Sequence, residues 1–201
     1  MMIQGVSVGE MLNQSVTVLT KPSVQSFEQF ERRGGQREGL TYVGVAAVLA
    51  GVVGGVFGLL TGGIVGLVGG LVAGIILPVI SYFVFSFLIY TIGKSQGGTG
   101  TQDEVFYTTS LYTAPILAIN GVIGAIPLLN CILLPATFLL GLYQIYLGYL
   151  ATRSSMNLDQ NKAIITVVLA IIAMWIAAAV IGFVFATIGI GAAAASGAFN
   201  R

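Results

Sequence analysis

The stretch GGVFGLLTGGIVGLVGGLVAG, residues 54–74, carries a glycine at every fourth position. The glycines of this register are Gly54, Gly58, Gly62, Gly66, Gly70 and Gly74. Glycine is a poor helix former in water, but a spacing of four residues places all of them on one side of a helix. Small residues in this arrangement let two helices approach closely within a membrane. We therefore interpret them as a helix-packing surface, either between two segments of this chain or, as a glycine zipper, between subunits.

The glycine stretch lies in the first of three long tracts that contain no Asp, Glu, Lys or Arg. These tracts cover residues 39–93, 105–152 and 163–200. Only 7% of the 201 residues are charged and 56% are apolar, whereas an average soluble domain has about 25% charged residues. Uncharged apolar tracts of about 18 or more residues are typical of membrane-spanning helices. The sequence therefore predicts an all-α polytopic membrane protein.

The lengths of the three tracts predict five transmembrane helices. As a single helix the first tract would measure ~80 Å, against a hydrocarbon core of ~30 Å. The first and second tracts therefore each fold back once, and the third crosses once. The first reversal is expected at Thr61-Gly62-Gly63, with Gly69-Gly70 as the alternative. The resulting domains are an N-terminal segment at 1–38, a five-helix domain at 39–188 (spans near 41–61, 64–93, 105–126, 128–152 and 163–187) and a short tail at 189–201.

The distribution of Lys and Arg predicts the orientation of these spans. Seven basic residues lie in the N-terminal segment and in the loops after the second and fourth spans, while the opposite side has only Arg201. The seven are Lys21, Arg32, Arg33, Arg37, Lys94, Arg153 and Lys162. By the positive-inside rule the N-terminus is cytoplasmic, and an odd number of spans then places the C-terminus outside. No removable signal peptide is expected.

Residues 1–38 are predicted to form two amphipathic helices. A capping box, Ser7-Val8-Gly9-Glu10, begins the first helix, and its apolar residues on one face are Val8, Met11, Leu12, Val16 and Leu19. The second helix runs from Pro22 to Gly34, and its candidate contact residues are Phe27, Phe30, Arg32 and Arg33. Phenylalanines with a basic end are typical of a helix in the headgroup plane. Packing of this helix on the ends of the spans is an equally open alternative, and docking to a partner protein is a third.

The predicted spans contain few polar side chains. The intramembrane candidates are Asn120, Asn130, Tyr143, Gln144 and Tyr146. Hydrogen bonds between helices and an interfacial aromatic belt are the ordinary explanation for such residues. A polar translocation path or a lipid-headgroup site is the functional alternative. At the start of the third span, Thr101-Gln102-Asp103-Glu104 predicts a second capping box.

The chain has no histidine, which excludes imidazole catalysis and histidine metal ligands. No carboxylate or amine lies inside a predicted span, so we expect neither an intramembrane proton relay nor an aspartyl protease. The hydroxyl groups and the single Cys131 lack a base that would activate them. We therefore expect a protein that is not an enzyme and needs no cofactor or metal. The net charge of +1 gives no reason to expect a nucleic acid partner.

Several short segments of the sequence follow one another in an order that is typical of a known family. An amphipathic segment runs from Leu19-Thr20-Lys21-Pro22 to Phe27, and a loop Gly97-Gly98-Thr99-Gly100 leads to Tyr112 and Pro115. A tyrosine-rich span, GLYQIYLGYLA (141–151), is followed by Lys162-Ala163 at the start of the last span. This order resembles the YIP family, the Ypt/Rab-interacting group of five-span membrane proteins, and especially its prokaryotic members.

The resemblance implies a five-helix fold with a cytoplasmic N-terminus, here in a prokaryotic cytoplasmic membrane. Eukaryotic relatives take part in vesicle traffic and bind prenylated small GTPases. This chain lacks their long acidic N-terminal tail and their Asp-Leu-Tyr-Gly-Pro motif, so GTPase binding is not carried over. The leading hypothesis is a membrane scaffold or adaptor whose partners are the lipid bilayer, itself or other membrane proteins. An oligomeric pore or carrier for a small apolar or lipid-like substrate is the alternative.

Overall fold

Helices account for all regular secondary structure in residues 5–195, the part of the chain that the computed structural model describes; side-chain surroundings are described through Ile181 and for Phe183. The prediction of an all-α fold is thereby confirmed for these residues. The helices are α1 (Val8–Thr20), α2 (Val24–Glu28), α3 (Gln36–Leu71), a π-helical turn (Val72–Ile76), α4 (Leu77–Ser95), α5 (Gln102–Ala125), α6 (Pro127–Ser155) and α7 (Gln160–Ala195).

The helix α3 contains a reversal of the chain at Gly63. The backbone there has φ 60° and ψ −145°, a conformation that glycine adopts without the steric penalty of a side chain. The glycines on either side of the reversal face each other in antiparallel order, Gly58 opposite Gly66 and Gly54 opposite Gly70. The turn thus falls within the Thr61-Gly62-Gly63 stretch, and the long apolar tract forms a hairpin with two limbs.

The second limb changes from α to π geometry just before Pro78. Proline has no backbone N–H to donate to the carbonyl four residues earlier, which here belongs to Gly74, inside the π-helical turn Val72–Ile76. A π-bulge is a common way for a helix to absorb such a local defect. The defect that Pro78 introduces is thus accommodated by the π-helical turn before it.

Two ends of the bundle can be distinguished by their loops. The loop at residues 96–101 and the loop at 156–159 meet, since the Thr99 amide donates to the Met156 carbonyl at 3.0 Å and Asn157 Nδ2 donates to Thr99 Oγ1 at 3.2 Å. We call this the charged end. At the opposite end, which we call the hairpin end, the chain reverses at Gly63 and again at Ile126. Pro127 is the first residue of α6.

The centre of the bundle is α5. It packs against α1, α3, α4 and α6, and its residues 105–112 are all buried. The polar members of this run use their hydroxyls within the protein: Ser110 donates to the Tyr107 carbonyl at 2.7 Å and Thr108 to the Glu104 carbonyl at 2.8 Å. The predicted capping box at Thr101 is confirmed, with Glu104 Oε2 accepting from the Thr101 amide at 2.8 Å.

Three helical runs of the described chain are long and apolar enough to cross a membrane: Gln36–Ser95, Pro127–Ser155 and Gln160–Ile181. The first of them contains the reversal at Gly63. Two boundaries differ from the sequence-based expectation. Helix α7 continues to Ala195 rather than ending near residue 187, so the predicted tail at 189–201 begins as helix, and its residues 196–201 lie outside the described part. The second N-terminal helix is also much shorter, ending at Glu28 instead of near Gly34.

Candidate functional site

The N-terminal segment, residues 5–35, packs against the bundle through the inner face of α1. The capping box predicted at Ser7 is confirmed and begins this helix. Three hydrogen bonds then attach it. The Tyr107 hydroxyl donates to Gln14 Oε1 at 2.7 Å, Ser15 Oγ and the Tyr42 hydroxyl lie 3.0 Å apart, and the Tyr143 hydroxyl donates to the Leu19 carbonyl at 2.6 Å. These bonds connect α1 to α5, α3 and α6 in turn.

A buried carboxylate lies where the segment enters α3. Glu31 is only 7% exposed, and its Oε2 accepts a hydrogen bond from Ser154 Oγ of α6 at 2.8 Å. Burial raises the pKa of Glu31, while the bond from Ser154 partly opposes the rise. Arg32 is largely exposed and bridges two acids, with its Nε 3.1 Å from Glu104 Oε1 and 3.7 Å from Glu31 Oε1. Side chains of the turn after α2, of α5 and of α6 thus meet at a charged cluster.

The turn before α3 allows very close packing. A Cβ atom at Gly34 would overlap the ring of Tyr107, and one at Gly35 would lie 2.9 Å from Asp103 Oδ1. The same Asp103 oxygen accepts from the Gln36 amide at 2.9 Å, which satisfies a free N–H in the first turn of α3. Position 34 therefore has room for glycine only, because any larger residue would overlap the Tyr107 ring.

Of the three arrangements left open for Phe27 and Phe30, the structure shows packing against the helices of the bundle. Phe27 is fully buried and Phe30 is 9% exposed, and Phe27 packs edge-on against Tyr112 with ring centroids 6.4 Å apart. The two rings therefore contact the bundle rather than headgroups or a partner, because the segment folds back and uses its apolar side as core. Arg32 and Arg33 lie after α2 rather than in its last turn, and both remain exposed.

The exposed apolar face of the segment belongs to α1 instead. Val8, Leu12 and Val16 are 37%, 52% and 53% exposed, and their spacing of four residues aligns them along one stripe. The sequence places them on one face with Met11, but Met11 is buried. The helix is thus apolar on two sides, one packed on the bundle and one uncovered. We call Val8, Leu12 and Val16 the outer stripe.

The six predicted glycines have different surroundings in the hairpin. A Cβ atom at Gly58 or Gly66 would overlap the carbonyl oxygen of the other, and a Cβ atom at Gly70 would overlap that of Gly54. Gly74 faces Gly51, which is outside the predicted register. A Cβ atom at Gly62 would meet nothing within 4 Å. Four glycines of the set therefore face one another within the chain, Gly74 contacts a further glycine, and Gly62 lies at the turn.

The polar candidates are divided between the interior and the surface. Asn120 and Gln144 line a cavity among α4, α5, α6 and α7. Tyr143 binds the α1 backbone as described above, while Tyr146 is 46% exposed and stacks obliquely on Tyr143 with ring centroids 6.4 Å apart. Asn130 is exposed in the first turn of α6, near the hairpin end. The structure thus places Asn120 and Gln144 at one cavity and Tyr143 beside Tyr146, while Asn130 lies apart from both pairs.

Several residues of the docked segment escape sequence reasoning. Gln14, Ser15 and Glu31 are polar residues that the structure buries, and Tyr42 and Tyr107 provide hydroxyl partners for two of them. The one signal in the sequence is the position of Gln14 and Ser15 between Met11 and Val18, which places two polar residues on an apolar helix face. For Glu31 no such signal exists, since its partner Ser154 is 123 residues away.

Within residues 5–195 no three residues of the types His, Cys, Asp and Glu lie close enough together to hold a metal ion. The charged cluster contains carboxylates and guanidinium groups that already pair with each other. The cavity residues are hydroxyl, amide and apolar side chains, without a charged group.

The chain was compared with known proteins. The Yip1 domain matches residues 16–181, which is most of the chain. The chain belongs to the Yip1 family. The match confirms the resemblance to the YIP family and, with the apolar helices described above, identifies a multi-pass integral membrane protein. No curated protein and no solved structure gave a significant match. The matched range includes the last five residues of α1, all of the helices from α2 to α6, and α7 as far as Ile181.

Proposed function

We propose that this Yip1-family protein is a non-enzymatic membrane scaffold or adaptor that presents the outer stripe of α1 at the membrane surface. The observation that carries the proposal is the unequal use of the two apolar sides of α1. The inner side is fixed to three helices by hydrogen bonds that Gln14 and Leu19 accept and by the bond between Ser15 and Tyr42. The outer stripe has no cover from the rest of the described chain. Contiguous exposed apolar patches commonly mark interaction surfaces.

The proposed arrangement in the membrane has five spans with the charged end in the cytoplasm. The two limbs of the Gly63 hairpin, α5, α6 and α7 supply these spans. Helix α5 measures ~36 Å at ~1.5 Å per residue, and its central position between α3, α4 and α6 supports its inclusion. The basic residues at the charged end support the cytoplasmic orientation of the N-terminus. A prokaryotic cytoplasmic membrane is the proposed location, with the C-terminus outside.

In this orientation α1 lies at the level of the cytoplasmic headgroups. Tyr143, which holds Leu19, is 12 residues before the end of α6, a distance of ~18 Å along the helix. α6 itself measures ~43 Å, about 13 Å longer than the hydrocarbon core. With this excess on the cytoplasmic side, Tyr143 falls ~5 Å inside the membrane boundary. The outer stripe then contacts the acyl boundary or the apolar surface of another membrane protein. GTPase binding is not part of the proposal, because the chain lacks the motif of the GTPase-binding relatives.

A carrier for a lipid-like substrate is a second candidate, and the cavity around Asn120 and Gln144 is the observation that favours it. The pore version has less support, because most of the glycines that would line a seam between subunits already pair within the chain. Transport would appear as flux or lipid scrambling in liposomes that contain the purified protein. No flux above that of empty liposomes would remove this candidate.

Site-specific photo-crosslinking in native membranes tests the scaffold proposal. A photoreactive amino acid at Leu12 is expected to give specific adducts with a membrane protein or a second copy of this chain. The same probe at Gln25, an exposed polar position of α2, is the matched control and is expected to give few. Mass spectrometry of the adducts identifies the partner. Equal adduct yields at both positions, or a uniform monomer without adducts, would contradict the proposal.

A further inference from the structure

The cavity among α4, α5, α6 and α7 has a volume of about 440 Å³, within the range of small-molecule sites. Its lining on α5 extends from Tyr112 to Asn120, and its lining on α7 extends from Val167 to Trp175. Eight residue steps of a helix measure ~12 Å. The space is therefore a slot that runs parallel to the helices, with a length that suits one extended aliphatic chain.

Asn120, which lines one end of the slot and also a second cavity beside the hairpin, has an unpaired polar atom. Asn120 Oδ1 is buried and accepts no hydrogen bond from any described residue, while the rest of the Asn120 side chain is partly exposed. Leaving an amide oxygen unpaired in an apolar environment has a free-energy cost. Thr113 and Gln144 add a hydroxyl and a second amide to the lining. A molecule that hydrogen-bonds to Asn120 would remove the cost of leaving this amide unpaired.

No Asp, Glu, Lys or Arg contributes to the lining. A charged headgroup would lose its hydration there without gaining an ion pair, so the ligand must be uncharged. Most of the remaining lining is apolar, including Phe85, Ile116 and Ile171. The site thus combines an apolar slot with neutral hydrogen-bonding groups.

The slot opens toward lipid between α6 and α7. Ile145 of α6 and Trp175 of α7 both line it, and they are 47% and 76% exposed. The charged end is closed by a packed cluster that includes Met156, Leu158 and Ala163. A ligand therefore enters sideways from the bilayer rather than from water.

We propose that the slot binds one uncharged membrane amphiphile, with a single alkyl chain along α5 and a hydroxyl group hydrogen-bonded to the Asn120 amide. A hydroxyl both donates and accepts, so it can pair with either end of the amide. The proposal goes beyond the scaffold function and requires no transport, because a resident lipid would serve a scaffold equally well.

The test uses the full-length protein in phosphatidylcholine nanodiscs and a long-chain alcohol with a diazirine in its alkyl chain. Saturable photolabelling is expected, with adducts on Ile116, Ile145 or Ile171 by mass spectrometry. Unlabelled alcohol should compete, whereas an ionised long-chain fatty acid should not. Labelling confined to lipid-facing Leu139 and Ile176 would overturn the proposal, as would the absence of saturation.

Two variants locate the site, and a third is their control. Gly141→Leu fills the slot: Gly141 lines it, and a Cβ atom there meets nothing within 4 Å, so the fold should tolerate the change and saturable labelling should disappear. Gly44→Leu has equally open surroundings but lies outside the slot and should label like the natural protein.

Asn120→Leu should weaken binding of the alcohol about 3- to 10-fold, the effect of one hydrogen bond, without affecting the binding of a diazirine alkane. Natural labelling in both Gly141→Leu and Asn120→Leu would overturn the assignment.

Discussion

Gly66 and Gly69 are three residues apart on the second limb of the hairpin, yet their surroundings differ completely. A Cβ atom at Gly66 would overlap the carbonyl of Gly58, whereas one at Gly69 meets nothing within 4 Å. The sequence register includes Gly66, which faces Gly58, and leaves out Gly69, although it also misses Gly51, which faces Gly74. Glycine spacing therefore carries real information about which backbone positions approach each other.

A matched pair of alanine substitutions tests this difference. Gly66→Ala should lower the free energy of unfolding by about 1–3 kcal/mol, since the limbs must separate to admit a methyl group. Gly69→Ala should leave it unchanged or raise it by about 0.5–1 kcal/mol, through the higher helix propensity of alanine. Thermal unfolding in detergent measures both. Equal destabilisation by the two substitutions would show that the limbs do not meet at Gly66.

Asn120 shows where residue-level prediction ends. Its position in an uncharged tract identifies it as an intramembrane polar residue, but not whether it has a partner. That depends on four helices that approach from distant parts of the sequence. Hydrogen bonds between segments that are distant in sequence, such as the bond from Ser154 to Glu31, are undetermined by the sequence for the same reason.

Among the elements, the N-terminal segment differs most from the sequence-based prediction. Its first capping box and the amphipathic character of α1 follow from local chemistry and are confirmed. The burial of Phe27 and Phe30 does not follow, because an apolar face looks the same in sequence whether lipid or protein covers it. The choice is made by tertiary contacts, here with Tyr112 of α5 and with α6.

The docking of this segment should depend on pH through Glu31. Burial raises its pKa above the ordinary value of 4.5, so the folded state binds this proton more tightly than the unfolded state does. The contribution of Glu31 to stability is therefore largest at and below pH 4.5 and decreases as pH rises through its higher folded-state pKa. Glu31→Gln should remove this part of the pH dependence and make the protein relatively more stable at neutral pH.

Thermal unfolding between pH 4 and 8 measures the effect of Glu31→Gln. The control is Glu28→Gln, which removes an exposed carboxylate three residues earlier in the same segment and should leave the profile nearly unchanged. A Glu31→Gln profile that parallels that of the natural protein at every pH would contradict the docked, buried carboxylate.

At the scale of the whole molecule, the charge-free tracts predict the membrane character and the all-α class without any structural information. Apolar length is a strong signal, because a helix must cross ~30 Å of hydrocarbon. The reversal in the first tract is also predictable, since a straight helix of that length cannot fit. The packing order around α5 is not, because it depends on which helix faces meet.

The central claim is that the first tract forms two antiparallel spans joined at Gly63. Single cysteines at Thr61, beside the turn, and at Ser95, at the end of α4, test it directly in a Cys131→Ser background. A membrane-impermeant maleimide should label Thr61→Cys from outside intact cells and Ser95→Cys only after the membrane is permeabilised. Labelling of both cysteines from the same side would contradict the hairpin and the five-span arrangement with it.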